Sequence, residues 1–441
     1  MKNNWLVSSL LLFFIFLTSV WPFYIDYRIL SNLGVNPQRI TCFFVVLVFL
    51  FMLYSPKVRG KIEFVFSVKN VRMFFILISG YVFWRLFVGF YVSDTLSVFL
   101  SINEIFTVYF IFLITVYSAV SSDNAKNRII KVIFYSYLLV LLFSWLEWAL
   151  QYNLFSQFAS SESKSAIGAT VEKLRGGLLR VKGPFENTLT LMQYVVCIFP
   201  LSFFYVRNRS SLFKMAFLFF SIGVVFLTFS RIGTLIILMQ VFMWKWLDIE
   251  KSFDKSMRML INVLKVFMVI SVFMFFVFGG GEDEFGEYEL GADVQGGLFS
   301  SSERTGQLIN GISAIVENPI VGYGLGNAGK VVKDFSDQGH SSYSVYHEVV
   351  DNRILSIAIE SGVFSAILFL LFWLWLIVKI YKSMLSEISV ERYMYGKALF
   401  LSISAVFVTF FFLSIFTNYS IIFVVAGLCV LHLMNKNVVR Q

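Results

Sequence analysis

Apolar runs of roughly 20 residues recur along almost the whole chain, separated by short polar stretches. They centre on 5–22, 38–55, 72–92, 98–119, 129–150, 189–206, 211–229, 231–248, 258–278, 354–380, 397–416 and 418–434. Each holds too little charge and too much Phe, Leu, Val and Ile for a helix with one wet face. About 20 helical residues cross the hydrocarbon core of a bilayer. In lipid a helix is the state that pairs its own backbone groups, whereas an open strand cannot. The pattern therefore predicts an all-α polytopic membrane protein with about twelve transmembrane helices, the whole of 1–441 forming a single integral membrane domain.

Composition narrows the class without changing it. Of 441 residues, 58% are hydrophobic and only 14% charged, against about 25% charged in soluble proteins. That excludes a soluble enzyme, a disordered chain and a disulfide-stapled secreted domain. The three cysteines, Cys42, Cys197 and Cys429, are scattered through apolar runs, so they suggest neither a metal site nor a disulfide framework. Lys2 and the run Trp5–Trp21 resemble a signal peptide, but no small-residue cleavage site follows, which favours an uncleaved first span.

The formal charge of +9 would suit nucleic acid, yet the basic residues sit in short clusters between apolar runs. Such clusters set membrane orientation. Lys57, Arg59 and Lys61, then Lys126, Arg128 and Lys131, then Arg207, Arg209 and Lys214 all fall on one side if the spans alternate. Both termini are then expected in the cytoplasm. Two long segments fall on the other side, 151–188 and 279–353, the latter between the ninth and tenth spans. It opens with Gly279-Gly280-Gly281 and the acidic stretch Glu282–Asp293, which lacks the ligand spacing of a calcium loop and reads as solvated.

Ionisable residues within spans are costly and mark function or mutual pairing. Arg85, Glu104, Glu147, Arg231 and Glu360 all fall in the outer half of the expected membrane, and Lys265 near the inner end of its span. The first five either pair with one another or line a polar cavity opening outward. A transporter would more often place such groups near the midplane.

Three stretches add chemistry: Arg180-Val-Lys-Gly-Pro-Phe-Glu-Asn187, Leu227-Thr-Phe-Ser-Arg-Ile-Gly-Thr234, and a third running from Arg304 through Glu317-Asn-Pro-Ile-Val-Gly-Tyr-Gly-Leu-Gly-Asn327 to Asp351-Asn-Arg353 and Glu360-Ser-Gly362. The Gly322, Gly324, Gly326 run lacks the spacing and context of a dinucleotide fingerprint and reads as a turn of close backbone approach. In order, spacing and sidedness the stretches resemble the O-antigen ligase and polymerase superfamily of bacterial envelope polysaccharide assembly. The resemblance covers roughly residues 180–380.

That resemblance implies transfer of a glycan from an undecaprenyl-diphosphate-linked oligosaccharide to a sugar hydroxyl at the periplasmic face of the inner membrane. It implies no cofactor, no obligatory metal and no nucleic-acid partner; membrane lipid and a chain-length regulator protein are the other expected partners. Arg180, Arg231 and Arg304 match its arginines, and a guanidinium suits a diphosphate because its planar fork binds two oxygens and stays charged. Arg175 and Lys182 compete with Arg180 for the role. Arg85, Glu104 and Glu147 are further candidates for substrate binding. In the ligase branch a His-Asn pair precedes a glycine by nine residues. Here Asn352 and Gly362 keep the register but Asp351 takes the histidine's place, which favours a polymerase. Asp351 would act on the acceptor hydroxyl, with Arg353 or Arg304 beside it; His347 (or His340) could substitute, and His347 would share a face with Asp351 if the helix began early. Ligation of finished glycan onto a lipid A core is the alternative activity, and a lipid-linked glycan flippase or exporter the alternative from another class.

Overall fold

The computed structural model describes residues 2–22, 25, 27–30, 33–121, 123–158, 174–175, 178–252, 301–339, 345, 348, 350–413 and 419–438. The expected span 258–278 with Lys265, the acidic stretch Glu282–Asp293 and both His340 and His347 lie outside the described residues. Every other expected span coincides with a helix.

The first half of the chain runs α1 (Lys2–Val20), α2 (Pro37–Met52), α3 (Pro56–Ser67), α4 (Lys69–Val92), α5 (Thr95–Glu104), a π-helical turn at Ile105–Phe110, α6 (Ile111–Ser121) and α7 (Asp123–Leu150). Two small antiparallel hairpins, β1–β2 (Tyr27–Leu30, Leu33–Val35) and β3–β4 (Leu174–Arg175, Leu178–Leu179), interrupt an otherwise helical chain. Next come α8 (Thr188–Val206), α9 (Ser211–Leu227), α10 (Arg231–Ser252), α11 (Ser301–Glu317), α12 (Ala328–Asp337), α13 (Arg353–Leu385), α14 (Val390–Thr409) and α15 (Tyr419–Val438). Among the described residues, Val71–Val92, Thr95–Val120, Asn124–Leu150, Thr188–Val206 and Arg353–Leu385 are each long and apolar enough to cross a membrane. The α2–α3 pair adds a sixth if it is one span, bent by 103°. This is an all-α polytopic membrane protein. Helices α11 and α12 lie within the long segment 279–353.

Helix starts follow local capping chemistry. Asn36 accepts the N–H of Arg39 at 2.8 Å ahead of Pro37, Asn187 accepts that of Thr190 at 2.8 Å, and Ser210 that of Phe213 at 3.3 Å. These caps satisfy donors that the first helical turn leaves orphaned. Helix α8 is buried on almost every face, as expected of an apolar helix surrounded by others.

Contacts at the two ends of the bundle define a polarity. At one end Lys397 in α14 meets Asp248 in α10 at 2.6 Å, and Arg207 after α8 meets Glu391 at 3.3 Å. At the other, Gln193 in α8 donates to Thr409 at 2.9 Å and the Arg353 N–H donates to the Phe410 carbonyl at 2.8 Å.

Helix α13 carries the feature that organises the second end. Ser361 and Gly362 leave helical geometry, Gly362 at φ +79°. A straight 33-residue helix would run about 50 Å, well beyond a hydrocarbon core of about 30 Å. The break leaves Val363–Leu385, about 34 Å, to do the crossing, and sets Arg353–Glu360 apart as a short helix of its own. A break strands carbonyls and amides, and the glycine-rich turn between α11 and α12 satisfies them. Tyr323 and Gly324 donate to the Ile359 and Glu360 carbonyls, both at 2.9 Å, and the Val363 N–H donates to the Pro319 carbonyl at 2.8 Å. Trp84 Nε1 takes the Ser361 carbonyl at 2.8 Å.

Candidate functional site

Arg304 lies in the first turn of α11 and Asp351 two residues before α13. Their side chains approach at 3.8 Å, Arg304 largely exposed and Asp351 mostly buried. Gln307, one turn along α11, accepts the Asp351 N–H at 3.1 Å, and Asn352 caps α13 by accepting the Leu355 N–H at 3.0 Å. Asp351 is thus held through its own N–H by the Gln307 side chain and is followed by the residue that caps α13, with its carboxylate turned toward an arginine. The helix begins at Arg353, so Asp351 precedes it; the face expected with His347 falls outside the described residues.

The arginine beside Asp351 is Arg304; Arg353 turns inward. It is fully buried and meets Glu104 at 3.3 Å. Glu104 also binds Arg85 Nε at 2.6 Å, and Arg85 reaches Glu360 at 2.9 Å and the Ser361 hydroxyl at 2.9 Å. The second Glu360 oxygen accepts the Gly326 N–H at 3.1 Å. Arg353, Glu104, Arg85 and Glu360 therefore form an alternating chain of buried charges that sums to zero, which is how low-dielectric surroundings tolerate ions. It joins α4, α5, the short first segment of α13 up to its break, and the glycine turn. The π-helical turn starts at the residue after Glu104, a local rewinding of the kind frequent at functional positions. The sequence pattern points to Arg85, Glu104 and Glu360 as charges within spans, whereas Arg353 falls at the end of the 279–353 segment. Its position directly after the cap residue Asn352 is the signal in the sequence that it opens a helix.

Glu147 takes other partners. Its carboxylate accepts the N–H groups of Lys182, at 3.1 Å, and Gly183. Asn153 donates to the Gly183 carbonyl at 2.9 Å. These contacts pin the Arg180–Asn187 stretch, and Gly183 adopts φ +57° to allow them. The same stretch is stitched to the corner between α9 and α10. The Val181 N–H donates to Leu227 and Arg180 Nε to the Thr228 carbonyl, both at 3.1 Å. Ser230 caps α10 by accepting the Gly233 N–H at 3.2 Å, and Arg231, exposed, opens that helix. The structure thus brings Arg180 to the corner that carries Arg231, and Arg304 to Asp351.

Residues 216–370 match the Wzy_C family model, described as O-antigen ligase. This segment is similar to the O-antigen ligase and polymerase superfamily, and the match does not separate the two activities. It contains Arg231, Arg304, Asp351, Asn352 and Glu360, and leaves out Arg85, Glu104, Glu147 and Arg180. No curated protein matches the chain. The match supports a membrane glycosyltransferase-type enzyme in general.

Proposed function

We propose that the protein polymerises O-antigen-like repeat units at the periplasmic face of the inner membrane. The donor is a glycan on undecaprenyl diphosphate and the acceptor a sugar hydroxyl of a second lipid-linked glycan. The observation that carries this reading is the Arg304–Asp351 pair, 3.8 Å apart and held at the start of α13. An exposed cation beside a carboxylate suits a donor phosphate and an acceptor hydroxyl, which supports the reading.

In the reaction the acceptor oxygen attacks the anomeric carbon, the bond from that carbon to the diphosphate breaks, and the electron pair leaves on the diphosphate. Arg304 stabilises the departing charge, with Arg231 and Arg180 as further contacts, because a guanidinium fork matches phosphate oxygens. Asp351 orients the acceptor hydroxyl and takes its proton late, as the forming bond makes it acidic. Arg85, Glu104 and Glu147 support the site through the contacts described above.

The test is complementation of a deletion strain, with glycan length read on gels. A null strain bearing a single repeat on lipid A core identifies a polymerase. One lacking glycan there, while long lipid-linked glycan accumulates, identifies a ligase and overturns the reading.

A further inference from the structure

Helix α11 is folded inside out for a helix in water. The side it buries is small and polar: Gln307 is 3% exposed, Asn310 and Ala314 are 0%, and Gly306 and Gly311 are buried too. A side chain at Gly311 would press on Leu355 and Ile359, so this face is the one laid against the short first segment of α13. The side it exposes is aliphatic: Leu308 43%, Ile309 36%, Ile312 50% and Val316 74%. At 100° per residue these four lie within about 100° of one another, a continuous stripe.

Its neighbour in the same hairpin is built the ordinary way. Helix α12 buries Val332 and Phe335 and exposes Lys330, Asp334 and Asp337. Two adjacent helices with opposite burial rules face two different solvents.

The apolar stripe also continues onto a membrane-spanning surface. Ile320, just past the end of α11, is 65% exposed. The turn that holds it is bonded through the Pro319 carbonyl to Val363. From there the exposed residues Phe364, Ile367, Leu371 and Leu374 run down the crossing part of α13.

We propose that α11 lies in the bilayer leaflet on the side that carries the 279–353 segment, its Leu308–Ile309–Ile312–Val316 stripe in contact with lipid acyl chains, while α12 stands in water. Burying Asn310 while leaving these aliphatic side chains in water would be unfavourable twice over, since polar burial costs free energy and apolar exposure forfeits it. In lipid both terms change sign for this arrangement. The stripe anchors α11 so that Arg304, on its flank one turn before Leu308, sits at the headgroup level. The inference rests on burial and on the membrane character of the fold, and it stands whether or not Arg304 meets a glycan donor.

The experiment is spin labelling of the full-length protein in liposomes, with collision accessibility to oxygen (enriched in lipid) and to a water-soluble nickel complex. Single cysteines are placed by Ile312→Cys, Val316→Cys and, for comparison, Asp334→Cys, with the unsubstituted protein correcting for its native cysteines. The expected result is an oxygen-to-nickel ratio several-fold higher at 312 and 316 than at 334. Nickel accessibility at 312 and 316 equal to that at 334 would place the stripe in water and overturn the proposal. Protection from both reagents would show it covered by protein, such as the 258–278 segment or a second chain, and would overturn it equally.

Discussion

Arg304 and Asp351 make opposite demands on their replacements. If Arg304 grips a diphosphate with two nitrogens, Arg304→Ala abolishes long-chain glycan at unchanged protein level, and Arg304→Lys restores only a fraction, because an ammonium is a point charge. Full activity with Lys, measured by glycan length in the complemented strain, would remove the bidentate grip from the reading. Asp351→Asn keeps shape and loses charge. It is expected to cut activity by about 10²-fold or more, the scale of a positioned acid or base, while expression holds. Asp351→His should not yield a ligase, since acceptor choice rests on the surrounding residues; glycan attached to lipid A core in that variant would refute this.

At the scale of elements, the break in α13 and the turn that fills it depend on each other. Gly362 sits at φ +79°, and a β-carbon there would collide with the Ile320 carbonyl. At Gly322, φ +73°, it would collide with the Ile359 carbonyl. Either replacement by Ala should cost about 2 kcal/mol or more, combining left-handed strain with a backbone clash, and be seen as a lowered unfolding temperature in detergent. An unchanged temperature for Gly362→Ala would mean that the turn does not dock there. The charge chain behaves as a unit for a different reason. Glu104→Gln leaves Arg85 and Arg353 facing each other in a buried setting, a loss of about 3–5 kcal/mol. Adding Arg353→Met should recover part of it by removing one unmatched charge; a double variant as unstable as the sum of its parts would show the two residues uncoupled.

For the whole molecule the property to test is sidedness. The two ends of the bundle are distinct, one held by Lys397–Asp248 and Arg207–Glu391, the other by the α13 start and the Arg180–Thr228 stitch. Basic clusters such as Lys57–Arg59–Lys61 predict that the first faces the cytoplasm. A cysteine replacing Asp337, exposed on α12, should then react with a membrane-impermeant maleimide added to spheroplasts. Reaction only after the inner membrane is breached would invert the topology, and with it the periplasmic placement of the site.

Apolar runs of membrane-spanning length were legible in the sequence because a bilayer imposes one requirement on every span: enough consecutive apolar residues to cross it with all backbone groups paired. The family resemblance was legible too, carried by short motifs whose spacing survives in one dimension. Which charges meet was not. Arg85, Glu104, Arg353 and Glu360 come from three helices, and their alternation depends on how α4, α5 and the segment of α13 before its break pack together, with Arg85 reaching both Glu360 and the break residue Ser361. Glu147 shared the others' expected depth yet serves a different loop, since depth along a span says nothing about direction around it. Helix α11 shows the same limit. Its sequence holds an aliphatic stripe and a small polar one, but which of them faces protein depends on what lies beside it, and only the folded chain decides that.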